Sequence, residues 1–246
     1  MIALIDADSI VYRIGFATEN EEEFVAKYRT DSFLHDMLNA LEAKEYYGYL
    51  TGKTNYRSSI AKTAPYKGQR KGIKPKHYEF LRNYLCTSWG FTIEEGQEAD
   101  DAVAIHSTKL HEDGIDHIIC SIDKDLLQLV GDHYNFVNGV RSYIDEYEAD
   151  LNLYTQCLTG DKVDNIIGLK GIGSVKAAKI LKGAKDKCEM YQKCIEAYKG
   201  DKERVDENLS LLWLRRKQNQ MWEPPCTLNG LTQQHQLDGK SSEPVE

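Results

Sequence analysis

The chain has 246 residues, 41% hydrophobic and 28% charged, enough to bury a real core and too apolar to be disordered throughout. It carries 31 Lys and Arg against 39 Asp and Glu, a net charge of −8, which taken alone argues against a simple phosphate-coating protein. It has no apolar run of the ~20 residues that a membrane-spanning helix needs. Residues 2–5 predict a short strand ending at Asp6. Apolar positions Phe33, Leu34, Met37, Leu38 and Leu41 recur at three and four and predict a helix within 21–44. Tyr46 to Leu50 reads as a second strand, Tyr78 to Trp89 as a helix, and Phe91 to Glu95 as a strand. Glu98 to Leu110 reads as a helix, and the apolar run His117 to Ile122 as a buried parallel strand. A helix is expected at Asp125 to Val130. Strands alternating with helices predict an α/β fold with a central, mostly parallel sheet flanked by helices. After Asp145 the strand signals stop. A helical subdomain is expected over 146–222, with a turn at Gly168–Gly173 and helices near Val175–Leu181, Cys188–Tyr198 and Val205–Arg216. A loose tail is expected over 223–246.

The N-terminus lacks the basic region and long apolar stretch of a secretory signal. None of the six cysteines forms a C-x-x-C pair, so they read as reduced thiols of a cytoplasmic protein.

The net charge hides a segregation. From Tyr46 to Tyr78 there is no Asp or Glu, and the stretch holds eight of the 31 basic residues: Lys53, Arg57, Lys62, Lys67, Arg70, Lys71, Lys74 and Lys76. Tyr56 and Tyr66 lie among them, as aromatics that stack on unpaired bases do. A solvated loop, or a tail for an acidic partner, would show the same charge.

Four acidic groups stand out, three of them where an α/β sheet binds ligands. Asp6 and Asp8 lie past strand one. Glu98, Asp100 and Asp101 open the helix after the 91–95 strand. Asp123 and Asp125 follow the 117–122 strand, and Asp161 and Asp164 sit beside the glycine turn. Ligands of open parallel sheets bind outside the carboxyl ends of the strands, so three of the groups converge by topology. Carboxylates sharing a cleft repel one another unless cations neutralise them. Oxygen donors without His or Cys suit Mg²⁺ or Mn²⁺, and two such ions can clamp both oxygens of a phosphodiester. Each group alone also reads as a helix cap or a turn; their coincidence favours a metal site.

Gly171-Ile172-Gly173 before Ser174 permits a tight turn that presents helix N–H groups to a phosphate, with Lys170, Lys176 and Lys179 adding charge. This is a helix-hairpin-helix pattern, which grips duplex backbone without reading sequence. An ordinary helix–helix turn with a glycine cap is the alternative.

Taken together the motifs resemble the 5′-nuclease superfamily of flap endonucleases and phage-type 5′→3′ exonucleases. They are Leu-Ile-Asp-Ala-Asp at 4–8, Tyr66-Lys67-Gly68-Gln69-Arg70-Lys71, Glu98-Ala99-Asp100-Asp101, Ser121-Ile122-Asp123-Lys124-Asp125, and Gly160-Asp161-x-x-Asp164-Asn165-Ile166 followed by Gly171-Ile172-Gly173. They occur in the family's order. The resemblance implies a PIN-like nuclease core over 1–145 with a basic arch at 51–77. It implies metal ligation by Asp6, Glu98, Asp100, Asp101, Asp123, Asp125, Asp161 and Asp164. Lys67 and Arg70 would contact the scissile phosphate. Lys53, Arg57, Lys62, Tyr66, Lys71, Lys74 and Lys76, with Lys170, Gly171, Gly173, Ser174, Lys176 and Lys179, would bind DNA. Two Mg²⁺ ions are implied, replaceable by Mn²⁺, with K⁺ at the hairpin. The implied protein is a monomer in the cytoplasm (a host's, if phage-encoded), acting on DNA with a 5′ end or flap and on RNA–DNA hybrids. Gly52 stands where the family usually has a metal-site Asp. Two readings remain open beside a nuclease of DNA: a non-catalytic DNA-binding protein with a decayed metal site, and a related metal-dependent ribonuclease.

Overall fold

The structure, a computed structural model, describes residues 1–69 and 72–226. The calls on Arg70, Lys71 and the tail beyond Cys226 lie outside the described residues. Strand β1 (Ile2–Asp6) alternates its side chains between two cores. Ala3 and Ile5 join one, with α1 (Ala7–Ala17), α2 (Glu23–Leu41) and α4 (Tyr78–Trp89). Leu4 joins the other, with Val103, Ala104 and Leu110 of α5 (Ala99–Glu112). A strand covered on both faces must be apolar throughout, which is why β1 reads as a run and not as an alternation.

The sheet has the order β3-β2-β1-β4-β5-β6 among the described residues, where β2 is Glu45–Asn55, β3 Thr92–Gly96, β4 His117–Cys120, β5 Gly131–Asn135 and β6 Val140–Ile144. All neighbours are parallel except β5 and β6, a hairpin. The expected mostly parallel sheet flanked by helices is therefore present. Chain order reverses beside β1, whose neighbours are β2 and β4, and this switch point is where such sheets open a crevice.

Several local expectations change. The helix α1 has no counterpart in the sequence reading, because it starts directly at the strand end with no breaker between. The helix expected at Asp125–Val130 is a short 3₁₀ turn, Lys124–Gln128. It leads into β5 and β6, which were not foreseen: β6 is an edge strand with mostly exposed residues and lacks an apolar signature. The helix expected to reach Arg216 ends at Leu212, since residues 213–216 are drawn out by bonds to the core.

Beyond α6 (Glu146–Thr159), a two-strand hairpin of β7 (Gly160–Asp161) and β8 (Ile166–Ile167) precedes α7 (Ser174–Leu181), α8 (Lys187–Ala197) and α9 (Lys202–Leu212). Leu158, Ala177, Leu181, Met190, Val205 and Leu209 close this helical core. Each fully buried aliphatic side chain contributes roughly 1.5–3 kcal/mol. Trp222, and Cys226 from the expected tail, pack against it.

A buried cation helps to stitch the two units together. The short helix α3 (Arg57–Ile60) places Arg57, 1% exposed, with its guanidinium on Asp101 at 2.5 and 2.9 Å. The same guanidinium donates to the carbonyls of Leu211 and Trp213 at 2.8 and 2.9 Å. Among the described residues no helix is long and apolar enough to cross a membrane.

Candidate active site

The carboxyl ends of β1 and β4 and the start of α5 open onto one cleft of about 760 Å³. Its described walls include Asp6, Asp8, Glu98, Asp100, Asp123, Asp125, Asp161 and Asp164, against the cations Arg13, Lys67 and Lys124. The strand end places Asp6, whose Oδ2 accepts from Ser9 Oγ at 2.7 Å and Ser121 Oγ at 3.0 Å. The start of α5 places Glu98 and Asp100, and Thr51 Oγ1 in β2 holds that start by accepting from Ala99 N at 2.9 Å. Asp123 caps the 3₁₀ turn, its Oδ1 accepting from Asp125 N at 2.9 Å. Asp161 and Asp164 come from the β7–β8 hairpin, which no periodicity announced.

Charge in this cleft is only partly balanced. Burial, and then repulsion from Asp8, pushes the Asp6 carboxyl up to about 6. Burial, and then Asp123, pushes Asp125 to about 7. Asp100 is raised well above the carboxylate range by burial and by Asp6 and Asp123. Elsewhere the protein supplies the cation. Lys67 Nζ is paired with Glu98 and lies 3.7 Å from Asp164 Oδ1. Lys124 Nζ lies 2.6 Å from Asp161 Oδ2, and although burial would raise Asp161, this bond holds its carboxyl below the usual range.

Three sequence assignments are corrected. Asp101 is fully buried outside the cleft, held by Arg57 and by Arg215 N at 3.1 Å, so it is not placed to ligate a metal beside Asp100. Arg57, its partner, has no surface to offer DNA. Tyr66 is buried as well. Its hydroxyl lies 2.8 Å from Glu98 Oε2 and 2.7 Å from Asp164 Oδ2, a cross-link inside the site and not a stacking face. The basic stretch is not one loop: Thr51–Asn55 belong to β2, and residues 62–63 are tied to Glu207 of α9 by Lys62 N and Thr63 N at 2.7 Å. Lys53, Lys62, Lys74 and Lys76 are exposed.

Gly52 is explained by packing. A Cβ there would lie 2.3 Å from the Glu94 carbonyl oxygen and 2.5 Å from Glu95 Cδ, so β3 leaves no room for a side chain. Asp8, grouped with Asp6 from sequence but not among the implied metal ligands, lines the same wall. It accepts from Thr51 N at 3.0 Å and from Arg82 at 3.1 Å, and Arg82 also holds the Thr51 carbonyl at 2.7 Å. Asn165 was quoted within its motif and given no role. It takes φ +60°, and its amide donates to the Pro65 carbonyl at 2.9 Å while Lys67 N donates to the Asp164 carbonyl at 2.9 Å. Nothing but their motif positions signalled Lys124 and Asn165.

At the expected hairpin, Gly171 takes φ +77°, a conformation other residues avoid. Gly173 precedes α7, and Lys170, Ser174, Lys176 and Lys179 are exposed. The segment before the turn is the β7–β8 hairpin, not a helix running into it. The Gly171 carbonyl, part of the expected K⁺ position, accepts from Lys176 Nζ at 2.8 Å.

Among the described residues no three His, Cys, Asp or Glu side chains converge as they stand into a metal-holding group. The donor chemistry nevertheless fits hard divalent ions. The donors are carboxylate oxygens, and Asp6, Asp100 and Asp125 are a repelling set that a cation would relieve.

The family model for the N-terminal resolvase-like domain of 5′-3′ exonucleases matches residues 1–157. A 5′-3′ exonuclease of Mycoplasma pneumoniae is 30% identical, over 73% of this chain and 70% of that protein. DNA polymerase I of Caldicellulosiruptor bescii is 27% identical over 88% of this chain; the match spans only 28% of the polymerase. A bacteriophage T5 flap endonuclease, solved with DNA and metal ions, superposes with a TM-score of 0.68 at 20% identity, over 86% of this chain and 88% of that one. At that identity the likeness is one of fold.

Proposed function

The chain belongs to the 5′-3′ exonuclease family, and from that premise we propose that it hydrolyses DNA phosphodiester bonds at or near a 5′ end with two divalent metal ions, Mg²⁺ or Mn²⁺. One observation carries the reading. Carboxylates from four separate stretches of chain meet in one cleft at the sheet's switch point, and burial and mutual repulsion raise three of them, Asp6, Asp100 and Asp125, above the usual carboxylate range.

Asp6, Glu98 and Asp100 would hold one ion, and Asp123, Asp125, Asp161 and Asp164 the other. Bound there, such ions lower the pKa of water and offset charge on the attacking and leaving oxygens. The chain's own residues do the positioning. Lys67 is held rigidly, with φ +54° and its backbone N–H on Asp164, so its ammonium stands over the cleft to meet a phosphate oxygen. Tyr66 has one proton for two carboxylates and so ties Glu98 to Asp164 across the two groups. The 168–174 turn, with Lys170 and Lys179 beside it, grips adjacent duplex through backbone N–H groups and charge. The exposed lysines of the basic stretch guide the 5′ strand. The protein acts as a monomer, and RNA–DNA hybrids fit the same sequence-blind grip.

The test is cleavage of a 5′-labelled flap duplex and of a blunt duplex, each with a DNA or an RNA 5′ strand, in Mg²⁺, Mn²⁺ or EDTA. Cleavage of the DNA substrates in Mg²⁺ that EDTA abolishes is expected. Binding without cleavage in either metal would sink the nuclease reading, and cleavage confined to the RNA strands would replace it with a ribonuclease.

A further inference from the structure

Lys124 differs from Lys67, the other lysine among the cleft's described walls. Lys67 is clamped by its backbone, whereas Lys124 rides on the 3₁₀ turn with a side chain 58% exposed, and it reaches inward to an Asp161 side chain only 4% exposed. Asp161 has one oxygen already used. Its Oδ1 accepts from Val163 N at 2.7 Å and from Asp164 N at 3.2 Å, bonds that build the β7–β8 turn. The oxygen left for any external cation is Oδ2, and Lys124 Nζ sits on it at 2.6 Å. An ammonium and a divalent ion held at the same oxygen repel one another, so the two compete for it. The lysine end of this pair is open to solvent, so screening weakens the pair and a competing anion can draw the lysine off. The anion that enters this cleft is a phosphate of the substrate.

We propose that Lys124 couples DNA binding to metal binding: its ammonium covers Asp161 Oδ2 until a DNA phosphate draws it away, which frees that oxygen for a divalent ion. The inference rests on the reading of Asp161 as a metal-holding residue. Lys124 is then a positioning residue, and the coupling is reciprocal: DNA tightens the metal and the metal tightens DNA by the same factor.

The experiment is Mn²⁺ binding followed by electron paramagnetic resonance on the full chain. It is run with and without a 5′-flap duplex whose junction linkages are bridging methylene phosphonates, which keep their charge and resist hydrolysis. Wild type, Lys124→Met and Lys124→Arg are compared. Without DNA, K124M should bind Mn²⁺ about two- to fivefold more tightly than wild type, the range an exposed ion pair supports, and K124R should bind as wild type does. Adding the duplex should tighten Mn²⁺ binding in wild type and K124R, and by a smaller factor in K124M. Equal Mn²⁺ affinities for wild type and K124M, or an equal effect of DNA on both, would overturn the coupling and leave the metal reading standing. Failure of wild type to bind Mn²⁺ in either condition would instead remove the metal reading, and the coupling with it.

Discussion

Asp100 and Asp101 are neighbours in the first turn of one helix, and their fates are opposite. Asp101 turns away from the cleft onto Arg57. Burial would raise its pKa, yet the guanidinium holds its carboxyl below the usual range. Asp100 faces the cleft, and burial and four other carboxylates push it up. The helix turn and the residue type are the same; what differs is which side each faces and whether the fold supplies a cation there. At Asp101 the cation is a fully buried guanidinium, and the carboxylate is structural and joins the two units. At Asp100 no such cation pairs with the carboxylate among the described residues, and it is left to something that binds.

Breaking the structural side should have the largest effect. Arg57→Met leaves Asp101 buried and uncompensated and removes the bonds to Leu211 and Trp213, so chemical denaturation should show a loss of about 3–5 kcal/mol. Adding Asp101→Asn should recover part of it. If the single variant unfolds like wild type, this pair does not join the units. On the cleft side the signs reverse. Asp100→Asn should reduce cleavage by at least about 10²-fold while raising the melting temperature, because it removes a repelled charge. A lower melting temperature would mean that Asp100 has a stabilising partner after all. The wall beside them gives a smaller effect. Gly52→Asp should cost about 1–3 kcal/mol through its collision with the Glu94 carbonyl, with no gain in cleavage; a faster enzyme would show that β3 yields and admits a ligand there. The smallest effect is at the anchor of the basic stretch. Burial would raise the Glu207 pKa, but its bonds to Thr63 and to Lys62 N hold it below its ordinary 4.5. Such a group stabilises the fold above that value and loses its contribution as pH falls through the folded pKa. The stability gap between wild type and Glu207→Gln should therefore be present at pH 7 and shrink below about pH 4.5. A gap that persists at lower pH would assign the effect to packing.

The parallel sheet was legible because β1 and β4 are buried on both faces, and runs such as Ile118–Cys120 leave a mark that needs no partner to be seen. The meeting of Asp6, Glu98 and Asp123 was legible for a related reason: acids that follow strands must gather at one edge of a parallel sheet. β6 was not legible, since an exposed edge strand carries no apolar pattern. Nor was the end of α9, because Trp213 to Arg216 are extended only where Gln128 and Asp101 are there to bond them.

The sequence by itself determined which carboxylates stand at the ends of strands and at the starts of helices, because those positions follow from local periodicity. Only the tertiary structure decided which of them receive a cation. Arg57 reaches Asp101 across 44 residues, Lys67 reaches Glu98 across 31 and Lys124 reaches Asp161 across 37. In each case the pairing is set by packing between distant elements, which no local pattern records.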